Sequence, residues 1–260
     1  MSQQGFPSPG GLFAPLAPLL ETIPFVPDLT ALNLLAARRD LRNQAGQRVS
    51  FILPPTDRLD YETRIWRNGA VATRPDNWHD FFNALVWLSF PLTKAALNAR
   101  HAGLLMQDAA ARGRERDAMT HFDECGVVVL AGDPALLDLL RRFAWRSLFW
   151  ERRTDLAGSM RCLVFGHATY EQLRQPFRGL TAKAVLYEVS PSWFSRPLVT
   201  QLAEVDRRLA AEFAAGCYPH PRSFQPFPLM GLPGVTPANE TASYYDDRWQ
   251  FRPGRGRRGV

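Results

Sequence analysis

The sequence predicts an α+β fold: one compact domain of mixed helices, short strands and a hairpin. Three observations carry this. Helical and strand periodicities follow each other in no regular order, so a doubly wound βαβ repeat is absent. No phosphate-loop glycine signature, dinucleotide fingerprint, G-x-S-x-G or internal repeat occurs. The composition, 46% hydrophobic and 22% charged over 260 residues, is that of a globular protein able to bury a large core.

Residues 1–27 hold Pro7, Pro9, Gly10, Gly11, Pro15, Pro18, Pro24 and Pro27 and read as an extended arm whose Phe6, Phe13 and Phe25 dock on the body. The globular domain is assigned to 28–247. Asp28 or Thr30 caps a helix running to about Asn43, with Leu32, Leu35 and Ala36 on one face and Gly46 beyond its end. Val49 to Leu53 reads as a strand stopped by Pro54 and Pro55, and Tyr61 to Arg67 as another before the Asn68-Gly69 turn. A helix follows from Trp78 to about Ser89. Pro91 interrupts it, and a second runs from Thr93 towards Ala111.

Asp117 to Ala131 reads as a hairpin turning at Asp123-Glu124-Cys125-Gly126 into the continuous apolar strand Val127 to Leu130. Asp133-Pro134 starts a helix, by a cap followed by proline at the first helical position. Helical pieces then continue through Arg153. Strands are expected at Arg161 to Phe165 and Ala184 to Val189, and helices at His167 to Leu173 and Leu198 to Ala214. Residues 218–237, with six prolines, read as an irregular wrap.

Charge and cysteine usage bound the function. The tail 248–260 holds Arg248, Arg252, Arg255, Arg257 and Arg258 and no acid, so it supplies five of the six net positive charges. The body is close to neutral. Cys125, Cys162 and Cys217 are dispersed and form no C-x-x-C, which argues against a disulfide framework or a cysteine zinc site. There is no basic leader and no apolar run of about 20 residues, so the chain reads as cytoplasmic, with no membrane partner.

Three polar clusters are candidates for chemistry. The apolar, aromatic stretch 77–101 carries His79, Asp80, Asn83, Lys94, Asn98 and His101. His79 and Asn83 share a helix face, and Lys94, Asn98 and His101 form a stripe at i, i+4 and i+7. Folded on each other, the two helices could gather these groups around a metal, a phosphate or a carboxylate. The competing reading is that Asn77 and Asp80 cap a helix start, the Asn residues brace the break, and Lys94 and His101 are solvated. In the segment Arg116 to Glu124, His121 and Asp123 share a strand face and could ligate a divalent metal or act as a general-base pair, whereas turn chemistry accounts equally for Asp123 and Glu124. His167 and Glu171 sit at i, i+4 after a strand, where a surface His–Glu pair is the competing reading. Cys125 is a weaker nucleophile candidate.

Several words together resemble a bacterial family catalogued as domain of unknown function 3025. They are Asn77-Trp78-His79-Asp80 with Phe82 to Trp87, Phe90-Pro91, Lys94, Leu97 to His101, Arg116-Asp117-Ala118, Phe122-Asp123-Glu124, Phe165 to Ala168 with Tyr170-Glu171, Gly179 to Ala184, Gly231 to Gly234, Asn239-Glu240 and Tyr245 to Asp247. The resemblance spans about residues 30–252 and implies one continuous domain. It implies no activity, cofactor or catalytic residue.

The reading from the residues is a metal-dependent hydrolase acting on a phosphoester or nucleotide-like substrate. His79, Asp80, His121, Asp123 and Glu124 are its catalytic candidates. Asn83, Lys94, Asn98 and Arg116 are the candidates for binding substrate, and His101, His167 and Glu171 for holding a divalent metal. The alternative is a non-catalytic nucleic-acid or protein binding module, resting on the Arg/Gly tail and the aromatic-rich body. A structural protein whose polar clusters are core networks is the third.

Overall fold

The computed structural model describes residues 11–23, 28–105 and 109–254, the side chains of 109–112 excepted. It is an α+β fold with two sheets among these residues. In chain order the helices are α1 (Ala17–Leu20), α2 (Leu29–Arg38), α3 (Tyr61–Asn68), α4 (Trp78–Ser89), α5 (Pro91–Leu105), α6 (Ala109–Cys125), α7 (Pro134–Arg141), α8 (Arg153–Ser159), α9 (His167–Gln172) and α10 (Leu198–Ala214). The strands are β1 (Ser50–Ile52), β2 (Ala70–Ala72), β3 (Gly126–Ala131), β4 (Met160–Val164), β5 (Thr181–Glu188) and β6 (Gln225–Pro228).

The main sheet has the order β4-β3-β5-β6. Strand β3 runs antiparallel to β4 and parallel to β5, and β5 runs antiparallel to β6. All six residues of β3 are buried, as expected of a central strand covered on both faces. Pro226 and Pro228 fit the edge position of β6, where missing N–H donors cost no ladder bond. The small sheet pairs β1 with β2 in parallel.

Helices α4 and α5 meet at Phe90, with no loop between them. The start of α5 is tied down from α10. Asp206 accepts from the Leu92 and Thr93 N–H groups at 3.0 and 2.8 Å and from Thr93 Oγ1 at 2.7 Å. These bonds satisfy helix-terminal donors that burial would otherwise leave costly. No helix among the described residues is long and apolar enough to cross a membrane.

Four expected elements differ, the first being the wrap 218–237, which is not irregular throughout because it supplies strand β6. Tyr61 to Arg67 is helix α3, because Asp60 caps it through the Thr63 N–H at 3.1 Å; Gly69 then closes it at φ +67°. The Asn68-Gly69 reversal is therefore a helix end. The Asp117–Ala131 hairpin is α6 running straight into β3. Ala118, Met119 and Phe122 form its buried face, and Gly126 permits the junction, since a Cβ there would lie 2.3 Å from the Phe122 carbonyl oxygen. The arm is not extended over 11–23: it coils into a 3-10 turn and α1, burying Leu12, Leu16 and Leu19. Phe13 docks on Phe82 and Tyr170, while Phe6 and Phe25 lie outside the described residues.

Candidate metal centre

Three helix ends build the cluster. Asn77 caps α4 by accepting the Asp80 N–H at 3.0 Å, which sets His79 in the first turn. Asp123 and Glu124 lie in the last turn of α6, and His167 opens α9. The ends meet because Gly166 packs on the chain leaving α6. A Cβ on Gly166 would lie 2.4 Å from the Glu124 carbonyl oxygen and 2.6 Å from Cys125 Cα. Helices α4 and α9 are held together by the Phe82–Tyr170 stack, 5.8 Å between centroids, and the Tyr170 hydroxyl donates to Val164 O at 2.6 Å.

His79 Nε2 and His167 Nε2 are 3.0 Å apart. Glu124 Oε2 lies 3.5 Å from His167 Nε2 and 3.9 Å from His79 Nε2. A tetrahedral ion with bonds of about 2.0–2.1 Å spaces its ligand atoms about 3.3–3.4 Å apart. The three separations bracket that value. The outer nitrogens of both rings face carboxylates: His79 Nδ1 lies 3.2 Å from Glu171 Oε2, and His167 Nδ1 lies 3.8 Å from Asp123 Oδ2. Glu171 is within hydrogen-bond distance and favours the His79 tautomer that leaves Nε2 free, whereas Asp123 is beyond it and His167 Nδ1 has no hydrogen-bond partner among the described residues.

Burial pushes the His167 imidazole down to about 4, against the pull of Asp123, so the ring is neutral near pH 7. Burial also pushes the Glu124 carboxyl up, and the charges of Asp123 and Glu171 add to the shift while His79 opposes it. Burial raises Asp123 as well. Lys94, then His167, outweigh it and hold that carboxyl below its ordinary value. Lys94 Nζ donates to Asp123 Oδ1 at 2.6 Å, to Oδ2 at 2.8 Å and to Asn83 Oδ1 at 2.8 Å. Asn83 Nδ2 donates onward to the Tyr61 hydroxyl at 2.9 Å.

Seven candidates therefore converge: His79, Asn83, Lys94, Asp123, Glu124, His167 and Glu171. The other five candidates lie outside this group. His121 is exposed on α6, and in a helix it lies about 200° around the axis from Asp123, so the two share no face. Asp80 instead accepts from the Arg74 guanidinium and backbone N–H, which hold its carboxyl below the usual range despite burial. Asn98 donates to Glu62, through its carbonyl at 2.9 Å and its carboxylate at 2.7 Å. His101 is buried with Nδ1 lacking a hydrogen-bond partner among the described residues, as does Arg116 Nε. Cys125 is no activated nucleophile, because burial and Glu124 push its thiol up.

Sequence reasoning missed Tyr61 and Glu62, which a strand at 61–67 pointed elsewhere. The Asp60 cap was the available signal. It also missed Gly126 and Gly166, whose meaning lies in a close approach. Arg255, Arg257 and Arg258 of the tail lie outside the described residues.

The family described as "Protein of unknown function (DUF3025)" matches residues 49–255, and the chain belongs to it. No curated protein and no solved structure matches the chain.

Proposed function

We propose that this member of the DUF3025 family is a metal-dependent hydrolase, with a divalent ion held by His79, His167 and Glu124. The observation that carries the reading is the spacing of the three donor atoms, at 3.0, 3.5 and 3.9 Å, with the Glu171 carboxylate behind His79. Three protein donors and an open side distinguish catalytic from structural sites, which are closed by four. The open side here is solvent-facing, since His79, Glu124 and Glu171 are all partly exposed. A bound ion would supply Lewis acidity and an activated water near neutral pH. The chain's own residues do the positioning. Glu171 orients His79, and Asp123, fixed by Lys94, faces His167 Nδ1. The substrate class proposed is a phosphoester or nucleotide-like molecule.

The test is metal content of the purified protein by elemental mass spectrometry, followed by calorimetric titration of stripped protein with zinc, manganese and magnesium. One ion per chain is expected, lost in H79A, H167A and E124Q and retained in H121A. Absence of any stoichiometric ion, or equal binding by H121A and H79A, overturns the site. If the ion binds, phosphomonoester and phosphodiester assays on loaded protein test the substrate class, with E124Q as the inactive control.

A further inference from the structure

A second feature lies at the same end of the main sheet. A cavity of about 810 Å³ opens between β5, β6 and the chain segment 249–253. This is within the size range of small-molecule sites, about 300–1,000 Å³. Lys183, Arg222 and Arg252 line it, and no acidic side chain does. Lys183 and Arg222 have no ion-pair partner among the described residues.

Its wall also holds an unsatisfied donor. Gln250 is only 4% exposed, and its Oε1 accepts from the Gly179 N–H at 3.0 Å and from the Tyr244 hydroxyl at 3.3 Å. Its buried Nε2 has no acceptor. A buried amide donor without a partner is costly, and natural folds leave few of them. Beside it, Trp249 keeps 56% of its surface exposed. Its ring rests on Gly179, at φ +87°, where a Cβ would come within 2.5 Å of the indole. The Arg178 and Arg252 guanidiniums lie 5.4 and 6.0 Å from that ring. The Gln250 Nε2 is sealed behind this wall, so what the lining offers a ligand is cations and an aromatic face. What it lacks is acceptors and negative charge.

We infer that this cavity binds a nucleoside phosphate, with the phosphate against Lys183 and Arg222 and the base on Trp249. The ligand's source is either a free nucleotide or the end of a single-stranded nucleic acid. Binding does not depend on the metal cluster.

The test uses metal-stripped full-length protein. Thymidine 5′-monophosphate, thymidine and inorganic phosphate are titrated by calorimetry, and fluorescein-labelled oligothymidylate by anisotropy. The expected result is binding of the monophosphate or the oligomer that weakens with salt and exceeds that of thymidine or phosphate alone. W249A should lower affinity about 5- to 100-fold, and K183A and R222A should each lower it and flatten the salt dependence. Competition of monophosphate against the oligomer supports a free-nucleotide source. Oligomer binding alone, lost in the cavity variants, supports a polymer. The inference is overturned by no binding of either probe. It is equally overturned by binding that ignores all three substitutions, including binding lost only on removing residues 255–260. Circular dichroism and metal binding at the His cluster confirm that each variant is folded.

Discussion

Replacing Lys94 by methionine separates what holds the cluster from what the cluster does. Lys94 lies on α5 and ties α4 to α6 through Asn83 and Asp123. Its side chain is 5% exposed and that of Asp123 is 21% exposed. Methionine keeps the apolar stem and removes the ammonium. Breaking a buried pair by removing one partner costs about 3–5 kcal/mol, mostly the penalty of the carboxylate left behind. Water reaching the exposed part of Asp123 offsets some of this, and loss of the cation–π contact of Lys94 with Trp87 at 5.5 Å adds a little. The expected loss is about 2–4 kcal/mol. Urea unfolding measures it as a lower midpoint at unchanged slope. The double variant K94M/D123N should recover much of the loss, because the neutral amide no longer needs a cation. A K94M loss below about 1 kcal/mol, within the range of exposed ion pairs, refutes the reasoning. So does a double variant no more stable than K94M.

Other predictions follow from the same geometry. G166A forces a Cβ onto the Glu124–Gly126 backbone, so it should cost about 1–3 kcal/mol by thermal or urea unfolding; it should also weaken metal binding by pushing α9 off α6. D80N should loosen the loop to Arg74 and lower the melting temperature slightly, while calorimetric metal affinity stays unchanged. His101 is held below its ordinary value by burial, with Arg116 and Lys94 acting in the same direction and Glu62 and Asp123 against it. The unfolded chain therefore takes up a proton near pH 6.5 that the fold refuses, so stability is full above that pH and falls as the pH drops through the folded pKa. H101Q should flatten this acid slope in urea midpoints between pH 7 and 5; an unchanged slope places the effect elsewhere.

Much of the helical frame was legible because its ends are written locally. Asp28, Asn77 and Asp133 cap the helices expected after them, and the helix Leu198–Ala214 stands as the periodicity places it. The apolar run from Val127 read as a buried strand and is one. What precedes it was misread because Asp-Glu-Cys-Gly has turn composition, while a helix that enters a strand without a loop leaves no composition signal. That single error altered the site. In a strand His121 and Asp123 face together. In the helix Asp123 turns to Lys94, Glu124 turns to the two imidazoles, and His121 turns to water. The pairing of His79 with His167, 88 residues away, rests on the Gly166 contact and has no trace in local spacing.

The polar segment at 77–101 posed the alternative of a satisfied core network or a site, and its residues divide between a closed network around Lys94 and the proposed metal centre at His79. Lys94 spends its donors on Asp123 and Asn83, and Asn83 passes its own to Tyr61, so that half is closed. A ligand there would have to break bonds already made. The other half is different. Two imidazole nitrogens and a carboxylate oxygen point at one another; Glu171 stands where the outer nitrogen of His79 would place its proton, and Asp123 lies 3.8 Å from that of His167. With those protons outside, three lone pairs converge with no donor between them. A proton on one inner nitrogen relieves only one of the three contacts, and burial keeps His167 from carrying both protons near neutral pH. A cation relieves all three at once. A cation between His79, His167 and Glu124 would thus satisfy atoms that the rest of the cluster does not, whereas the Lys94 half has no room for one.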